Sequence, residues 1–367
     1  MARIQLVADH GKSFSAWTKA PADIAAIADR FGFLRLPIGR FRLGNFSLIR
    51  RVLRKLRLER QADRISWKVE FFCLRRKFRK CGGDLLLQHP LPYAITFDMR
   101  NLEDFRSLSK VGVRIIVVVH DIAALRGKSK DVGGDVDTLL ESATFHVADW
   151  LIVHNMKMQD YMISQGLHNE KMISLEMFDY LLDTGRHINV SRTLQNRVML
   201  AGNLGSGKAG YVKQLWKISG VDWLVYGSNF NPEIIHGSNI MYRGKFNPDQ
   251  PPVNCDASFG LVWDGDSIET CAGPTGEYLK VNNPHKLSLY LSMGLPVIVW
   301  KESAVAEFVL RNNIGIVVGS LRDTAHGIAR LSTVSYLEMQ RHACEVGMKM
   351  RRGLFFEKAL SCVLGGK

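Results

Sequence analysis

The sequence has little of what marks secreted, metal-stabilised or membrane-spanning proteins. Its six cysteines are scattered over 367 residues without a CxxC pair, which argues against a structural zinc ion and a disulfide framework. The first residues do not resemble a signal peptide, so we expect a reducing, cytoplasmic environment. No segment approaches the roughly 18 uncharged apolar residues that a membrane-spanning helix needs. We therefore expect a protein that does not cross a membrane.

Two further absences narrow the chemistry and the architecture. The serines and cysteines lie in no GxSxG pattern, so the sequence offers no hydrolase nucleophile of that type. There is also no internal repeat and no low-complexity segment. What remains is the composition of an ordinary globular protein, 46% hydrophobic and 23% charged, at a length that exceeds the usual size of a single core. We therefore expect two domains.

Short β-branched runs alternate with helical patterns along the chain, as in parallel α/β proteins. The predicted strands of the first half are residues 4–7, 84–87, 113–119, 150–153 and 172–175. Those of the second half are residues 197–201, 223–226, 240–242, 258–263, 297–300 and 314–318. A polar stretch, residues 181–196, separates the two series and is the predicted linker. The sequence thus predicts two Rossmann-like domains, residues 1–183 and 197–345, followed by a C-terminal helix within 346–367.

The net charge of +14 is concentrated in one stretch of the chain. Residues 35–80 contain 16 lysines and arginines but three acids, so +13 of the net charge lies there. Bulky apolar residues such as Leu53 and Phe72 alternate with these cations, a pattern that predicts amphipathic helices with a basic face. Such a face suits an anionic membrane surface, and a merely solvated face is the alternative. Because no nucleic-acid-binding module accompanies the charge, we expect no nucleic acid partner.

Polar residues collect immediately after several predicted strands, where ligands of open parallel sheets bind. His120 and Asp121 follow the strand at 113–119, and His154 follows the strand at 150–153. A histidine at such an edge can act as a general base towards an acceptor hydroxyl. His120 and Asp121 are therefore the candidate catalytic residues. A structural histidine that caps the next turn is the alternative.

The segment NNPHKLSLYLSMG, residues 282–294, places a cation at the start of an apolar helix. Asn283 is predicted to be the N-cap and Pro284 the first helical residue. His285 and Lys286 then lie at the positive end of the helix dipole, where a cation is unfavourable. A bound anion would remove this conflict. Asn283, His285 and Lys286 are therefore candidate ligand-binding residues.

A second candidate anion site is the glycine-rich segment AGNLGSGKAGYV, residues 201–212. It matches the G-x-x-x-x-G-K phosphate loop, but Ala209 stands where such loops need a serine or threonine for magnesium. It also matches the G-x-G-x-x-G dinucleotide pattern, but Tyr226 and Gly227 stand where that pattern needs an acid. The physics common to both patterns survives, because backbone N–H groups and Lys208 can meet a phosphate at a helix start. An ordinary turn with an exposed lysine is the alternative.

Lysines at two predicted helix starts in one domain suggest a diphosphate held from two sides, by Lys208 and Lys286. Asn203 is a candidate for orienting a sugar or ribose hydroxyl, and Tyr226 for packing on a base. Asp264, in the loop Asp-Gly-Asp, is a candidate for binding sugar hydroxyls. That loop could also bind magnesium, a question that stays open although we favour a site without metal. A P-loop phosphotransferase or nucleoside triphosphatase is a rival function, and it would require magnesium.

Several blocks of the sequence resemble bacterial GT-B glycosyltransferases. The blocks are KAPADIAAIADRFGF, LLLQHPLP, VVVHDIAALRG, DWLIVHNMKM, MLAGNLGSGK, FGLVWDG, NPHKLSLYLSMGLPVIVW and AVAEFVLRNNIGIVVGSL. They occur in a consistent order over most of the chain. They are most similar to the group that contains β-1,6-galactofuranosyltransferases and the glucosyltransferase that extends glycans on serine-rich repeat adhesins. The NPHK and HD blocks are the most specific, and the basic stretch 35–80 is the least similar part.

The resemblance implies the GT-B fold, α/β, with two Rossmann-like domains facing an interdomain cleft and a C-terminal helix that crosses back. It implies that the first domain binds the acceptor and that the second binds a nucleotide-sugar donor, with Lys208 and Lys286 on the donor diphosphate. The expected reaction moves a hexose, galactofuranose or glucose, from a UDP-linked sugar to a glycan acceptor. Neither a metal nor a resident cofactor is expected.

The remaining expectations concern partners and location. The acceptor belongs to cell-surface polysaccharide or glycoconjugate synthesis, and a lipid-linked acceptor would bring residues 35–80 to the inner face of the plasma membrane. The protein would then be cytoplasmic and peripheral. A homo-oligomer is compatible with the sequence. The last rival function is a non-catalytic partner subunit, which would bind the donor without turnover.

Overall fold

A computed structural model describes residues 1–8, 16–38, 51, 55, 58–79, 82–92, 95, 100–126, 134–182, 193–234 and 236–365. Most of the predicted linker, residues 183–192, lies outside the described part, as does much of the basic stretch 35–80. Among the described residues, no helix combines the length and apolar character that crossing a bilayer requires.

The first domain is built on a six-stranded parallel sheet, sheet A, with the strand order β2-β1-β3-β4-β5-β6. Its strands are β1 (Ala2–Ala8), β2 (Leu34–Ile38), β3 (Gly83–His89), β4 (Val113–Val119), β5 (Trp150–Val153) and β6 (Met172–Ser174). The central strands β3 and β4 are almost completely buried, because helices cover both faces of the sheet.

The second domain is built on another six-stranded parallel sheet, sheet B, with the order β12-β11-β10-β7-β8-β9. Its strands are β7 (Arg197–Asn203), β8 (Asp222–Ser228), β9 (Ile240–Tyr242), β10 (Phe259–Val262), β11 (Val297–Trp300) and β12 (Gly315–Val318). The strand order reverses between β7 and β10. In open α/β sheets, ligands bind at such a switch point.

All eleven predicted strands are confirmed, and among the described residues one further strand was not predicted. The missed strand is β2, the outermost strand of sheet A, where Leu34 is largely exposed. Pro37 and Arg35 interrupt its apolar pattern, which an edge strand tolerates because one side needs no ladder of hydrogen bonds. The prediction counted Arg35 only as the start of the basic stretch.

Helices connect the strands and cover both faces of each sheet. In the first domain they are α1 (Ala16–Arg30), α2 (Glu59–Phe78), α3 (Arg100–Ser109), α4 (Gly134–Val147) and α5 (Met156–Ser164). In the second they are α6 (Ser206–Ala209), α7 (Gly273–Glu277), α8 (His285–Ser292), α9 (Ala306–Arg311), α10 (Thr324–Ala329), α11 (Thr333–Arg352) and α12 (Leu354–Gly365). Short 3₁₀ helices are Ala123–Arg126, Asn169–Lys171, Gly210–Lys217, Pro232–Ile234, Tyr278–Lys280 and Leu321–Asp323.

The C-terminal helix crosses back to the first domain, as the resemblance implied. Helix α11 packs on α8 of the second domain, whereas α12 packs on α1 and β6 of the first. The crossing occurs at Gly353, later than the predicted boundary at residue 345, because Gly353 adopts φ +84° and ends α11. Asp179 then accepts hydrogen bonds from the backbone N–H groups of Phe355 (3.2 Å) and Phe356 (2.7 Å), and so fixes the start of α12.

Helix α8 packs directly against sheet B. Gly260 in β10 faces the ring of Tyr290, and a side chain at Gly260 would overlap that ring. The Tyr290 hydroxyl accepts a hydrogen bond from the backbone N–H of Ala201 in β7 (2.8 Å). These contacts hold α8 over β7 and β10, so the start of α8 lies beside the switch point of sheet B.

Candidate active site at the domain interface

The two lysines of the sequence analysis come together around one carboxylate. Lys286 Nζ lies 2.7 Å from Asp264 Oδ1 and also donates to the backbone oxygen of Trp263 (2.8 Å). Lys208 Nζ lies 3.9 Å from the other carboxylate oxygen of Asp264. The side chain of Asp264 is 7% exposed, whereas Lys208 is 33% exposed. Two cations therefore share one buried anion at the sheet B switch point.

The predicted start of the NPHK helix was wrong by one residue. Pro284 is the N-cap and His285 the first helical residue, and no side chain caps the helix. Lys286 still lies in the first turn, where the helix dipole disfavours a cation. Asp264 relieves part of this conflict within the protein itself, because it accepts the Lys286 hydrogen bond.

Asn283, predicted as the cap, instead joins the two domains. Its side-chain amide donates to the backbone oxygens of His154 (2.7 Å) and Glu176 (2.9 Å), and its Oδ1 accepts from Asn155 Nδ2 (2.7 Å). Its backbone N–H donates to His154 Nδ1 (3.0 Å). These bonds occupy the amide of Asn283, which gives it a positioning role before α8 and leaves it little capacity for a ligand.

His285 does not act as a second cation. Its ring lies 5.0 Å from the Tyr180 ring and 6.0 Å from the Phe178 ring, between centroids. Burial, together with the nearby Lys19 charge, lowers the pKa of His285 to about 4. His285 is therefore neutral at physiological pH, and Lys286 is the cation at the start of α8.

The helix predicted after the glycine-rich segment is very short. After β7 the chain forms only the four-residue α6 and continues as the 3₁₀ helix Gly210–Lys217. A helix of one turn has little dipole, so Lys208 contributes through its own charge. Asn203 Oδ1 accepts from the backbone N–H of Gly205 (3.0 Å) and from Asn229 Nδ2 (2.8 Å). Asn203 therefore shapes this turn.

Tyr226 is a half-buried residue of β8. Its ring lies 5.7 Å from the Phe246 ring in an edge-to-face arrangement and packs on the core of the second domain. Burial raises the pKa of the Tyr226 hydroxyl above its ordinary value. These contacts match the structural interpretation of this tyrosine, and its base-packing role stays a prediction.

His120 is held in one tautomer by a chain of hydrogen bonds. Gln88, near the end of β3, donates through Nε2 to the backbone oxygen of Pro21 (3.1 Å), which leaves its Oε1 as an acceptor. His120 Nε2 lies 2.7 Å from that oxygen and must therefore carry the proton. His120 Nδ1 is then the basic nitrogen, and it is buried without a hydrogen-bond partner among the described residues.

Aromatic and histidine rings surround Phe178 at the carboxyl ends of the strands of sheet A. The His120 ring stacks on Phe178 with a centroid distance of 5.5 Å, and the His154 ring meets it edge-on at 4.8 Å. Burial lowers the pKa of His154 to about 3, and burial together with the neighbouring histidines lowers that of His120 to about 3. This edge therefore carries neutral imidazoles.

Asp121 forms part of a turn. Its Oδ1 accepts from the backbone N–H of Ile122 (3.1 Å), which also donates to the hydroxyl of Tyr278 from the second domain (3.0 Å). Glu141 accepts from the next two backbone N–H groups and so fixes the following 3₁₀ turn. This geometry favours His120 over Asp121 as the proton acceptor.

The described part of the chain contains no group of three or more histidine, cysteine or acidic side chains arranged to hold a metal ion. The structure adds no support for the rival P-loop hypothesis. The residue after Lys208 is the buried Ala209, which has no hydroxyl that could bind magnesium.

The sequence did not predict four residues that contact His120 or join the two domains. Gln88 and Phe178 contact His120 directly, and Asn155 and Tyr278 contact the opposite domain. Gln88 carried a usable signal, since it lies one residue before the end of a buried strand, at the edge where His120 was expected. Phe178 follows β6, and no motif or periodicity in the sequence marked it as a site residue.

Two doubly wound domains that meet at the carboxyl ends of their sheets, with paired lysines at the switch point of the second, define a glycosyltransferase of the GT-B class. The solved structure of HepE from Anabaena in complex with UDP has the same fold, with a TM-score of 0.61 over all of both chains and 12% identity.

Sequence comparisons identify the family. The models "Glucosyltransferase 3-like, N-terminal domain" and "C-terminal domain" match residues 4–177 and 198–363. The β-1,6-galactofuranosyltransferase WbbI of Escherichia coli K12 is 35% identical over 253 residues, which cover 68% of this chain and 71% of WbbI. Glucosyltransferase 3 of Streptococcus gordonii is 24% identical over 76% of this chain and 78% of its own. The chain belongs to the glucosyltransferase 3-like family and is a glycosyltransferase.

Proposed function

We propose that this chain transfers a hexose, galactofuranose or glucose, from a UDP-linked sugar to a glycan acceptor in cell-surface polysaccharide or glycoconjugate synthesis. The observation that carries the proposal is the convergence of Lys208 and Lys286 at the switch point of sheet B. The WbbI galactofuranosyltransferase and the S. gordonii glucosyltransferase support the choice of hexose.

On the donor side, the lysines stabilise the leaving group. When the bond between the anomeric carbon and the diphosphate oxygen breaks, its electron pair stays on the diphosphate, which becomes more negative. Fixed cations at that point stabilise the transition state more than the ground state. The positive end of α8 acts in the same direction, so the proposed transfer needs no metal.

On the acceptor side, His120 receives the proton. The attacking hydroxyl forms the new bond to the anomeric carbon, and its proton passes to Nδ1, the nitrogen that Gln88 leaves unprotonated. A neutral imidazole is required for this step, and burial keeps His120 neutral. Because Nδ1 is enclosed in this conformation, the acceptor reaches it only when the interface opens. The loss of burial on opening raises the pKa of His120 from about 3 towards its ordinary value, which makes the imidazole a stronger base.

The test is a panel of nucleotide sugars and UDP, measured by thermal shift and by donor hydrolysis. We expect UDP and one UDP-hexose to raise the melting temperature of the wild type. Lys286→Met should weaken UDP binding on the order of 10- to 100-fold, because a charge-assisted hydrogen bond is lost.

The matched control is Lys301→Met, since Lys301 is an exposed cation after β11 in the same domain. An equal loss in both variants, or no response of the wild type to any nucleotide sugar, would contradict the proposal. Binding without turnover would identify the rival non-catalytic subunit.

The same proposal places the protein on the inner face of the plasma membrane, where a lipid-linked acceptor would be presented. Helix α2 buries one face, including Trp67 and Phe71, but leaves a stripe of Ile65 (59% exposed), Val69 (47%) and Phe72 (61%) in solvent. The exposed cations Arg75, Arg76, Lys77 and Arg79 follow this stripe. An apolar stripe beside cations matches an anionic bilayer surface.

Vesicle flotation tests this placement. Vesicles with anionic lipid should bind the wild type, and vesicles of neutral lipid alone should not. Replacing Ile65, Val69 and Phe72 by serine should abolish binding, whereas serine at Val334 and Leu337, exposed on α11, should not. If binding to anionic vesicles is absent and the same serine variant instead dissociates a dimer, the stripe is an interface between copies of the chain.

A further inference from the structure

We propose that Asp264 controls release of the nucleoside diphosphate product: its carboxylate positions both lysines and at the same time repels the product they hold. This inference rests on the proposed function, because it requires the diphosphate to bind at Lys208 and Lys286. The inference assigns a function to Asp264, the anion that lies between the two lysines.

The position of Asp264 is fixed by its backbone. Gly265 donates through its backbone N–H to the oxygen of Lys208 (2.8 Å) and accepts from the backbone N–H of Tyr211 (3.1 Å). Gly265 adopts φ +106°, and a side chain there would overlap the backbone of Ala272. The loop after β10 is thereby tied to the segment after β7. Asp264 is held between the two lysines even before any ligand arrives.

The carboxylate is also close to any anion that the lysines bind. Asp264 Oδ1 lies 2.7 Å from Lys286 Nζ, so a phosphate oxygen in contact with that ammonium group lies within a few ångströms of a second negative charge. Asp264 is buried, so solvent screens this repulsion only weakly. The two lysines and the carboxylate together carry one net positive charge, whereas the lysines alone would carry two.

The repulsion acts more strongly on the product than on the donor. In the sugar nucleotide the terminal phosphate is esterified and carries one negative charge. After transfer the same phosphate is free, and its second ionisation, with a pKa near 6, adds most of another charge. A fixed carboxylate therefore weakens binding of the diphosphate more than binding of the sugar nucleotide. Product release limits turnover in many enzymes, so this difference favours continued transfer.

The decisive variant is Asp264→Asn, which keeps an oxygen that can accept from Lys286 and removes only the charge. We expect the Kd for UDP to fall about tenfold and that for the donor sugar nucleotide by a smaller factor. Product inhibition by UDP should strengthen accordingly. A purely positioning role predicts the opposite sign, because a weaker partner for Lys286 would loosen the site.

The matched control is Asp266→Asn, which removes a charge from an exposed residue of the same loop. We expect its Kd for UDP to stay within twofold of the wild type. Unchanged or weaker UDP binding in Asp264→Asn, or equal tightening in both variants, would overturn the inference. Asp264→Ser serves as a second variant if the asparagine protein does not fold, with the same expected direction.

Failure of this inference and failure of the proposed function have different signatures. If UDP does not bind the wild type, or if Lys286→Met binds UDP as the wild type does, the proposed function fails. If UDP binding depends on Lys286 but Asp264→Asn does not tighten it, only the role of Asp264 fails.

Discussion

In each domain the carboxyl ends of the strands form one edge of the sheet, and these two edges face the same cleft. Their side chains differ in chemistry. At the edge of sheet B, the ammonium groups of two lysines each lie within 4 Å of one carboxylate, that of Asp264. At the edge of sheet A, burial lowers the pKa values of His120 and His154 far enough to keep both rings neutral. Both edges lie at the ends of buried parallel strands, so the strands alone do not explain the contrast.

The contrast separates the two tasks of a glycosyl transfer. A leaving diphosphate needs fixed positive charge, which the edge of sheet B offers without reorganisation. An attacking hydroxyl needs an unprotonated acceptor for its proton, which the edge of sheet A offers through His120. If this division is correct, substitutions of the lysines should change both donor binding and transfer, whereas substitution of His120 should change transfer and leave donor binding unchanged.

The largest expected effect of a change at the neutral edge is that of His120→Ala. Loss of a general base should reduce the rate of transfer by roughly 10²- to 10⁴-fold. The Kd for UDP should remain within about twofold, because the lysines are untouched. Single-turnover transfer and UDP titration measure the two quantities. His146→Ala, at an exposed histidine of α4, is the control. A parallel loss of UDP affinity would show that the two edges do not act separately.

A smaller effect is expected for Gln88, which sets the tautomer of His120. Gln88→Leu should slow transfer about fivefold, the equivalent of one hydrogen bond of about 1 kcal/mol. Gln88→Glu keeps an acceptor and adds a negative charge beside the imidazole, which raises the pKa of His120. The acidic limb of its pH–rate profile should then move to higher pH. Gln165→Leu, at the exposed end of α5, is the control, and a profile that does not move would reject the tautomer argument.

The smallest expected effect concerns stability at low pH. His154 has a pKa of about 3 in the folded protein, whereas an unperturbed histidine has one of 6.5, so the unfolded chain binds a proton over this range and the folded chain does not. Its contribution to stability is therefore complete above pH 6.5 and is lost as the pH falls towards 3. His154→Gln should reduce the slope of the free energy of unfolding against pH by about 1.4 kcal/mol per pH unit in this range.

Denaturant unfolding at several pH values between 4 and 6.5 measures this slope, with the exposed His168→Gln as control. Asp23 and Asp179 act in the opposite direction, because burial raises their pKa values to about 6 and about 7. Both carboxyls are present in the wild type and the variant, so the difference in slope reports His154. Identical slopes would show that His154 is protonated in the folded protein, contrary to a neutral edge.

The local sequence was sufficient for the alternation of strands and helices and for the residues at each edge. It failed where a distant partner decides. Asn283 is of a residue type that often caps helices, but its side-chain amide is hydrogen-bonded to His154, Glu176 and Asn155 of the other domain. Lys208 was placed at the start of a helix that proved to be one turn long. Strand β2 escaped prediction because edge strands need no continuous apolar run.

By itself the sequence determined that this protein has two parallel-sheet domains and that Lys208, Lys286 and His120 lie after or between their strands, because hydrophobic periodicity is a local property. Only the tertiary structure decided that Asp264 lies between the two lysines, that Gln88 sets the proton of His120 and that His285 is neutral. Those facts depend on which strands are neighbours, on how closely α8 approaches sheet B and on how completely each ring is buried. No short stretch of sequence contains that information, because each contact joins residues from different elements of the fold.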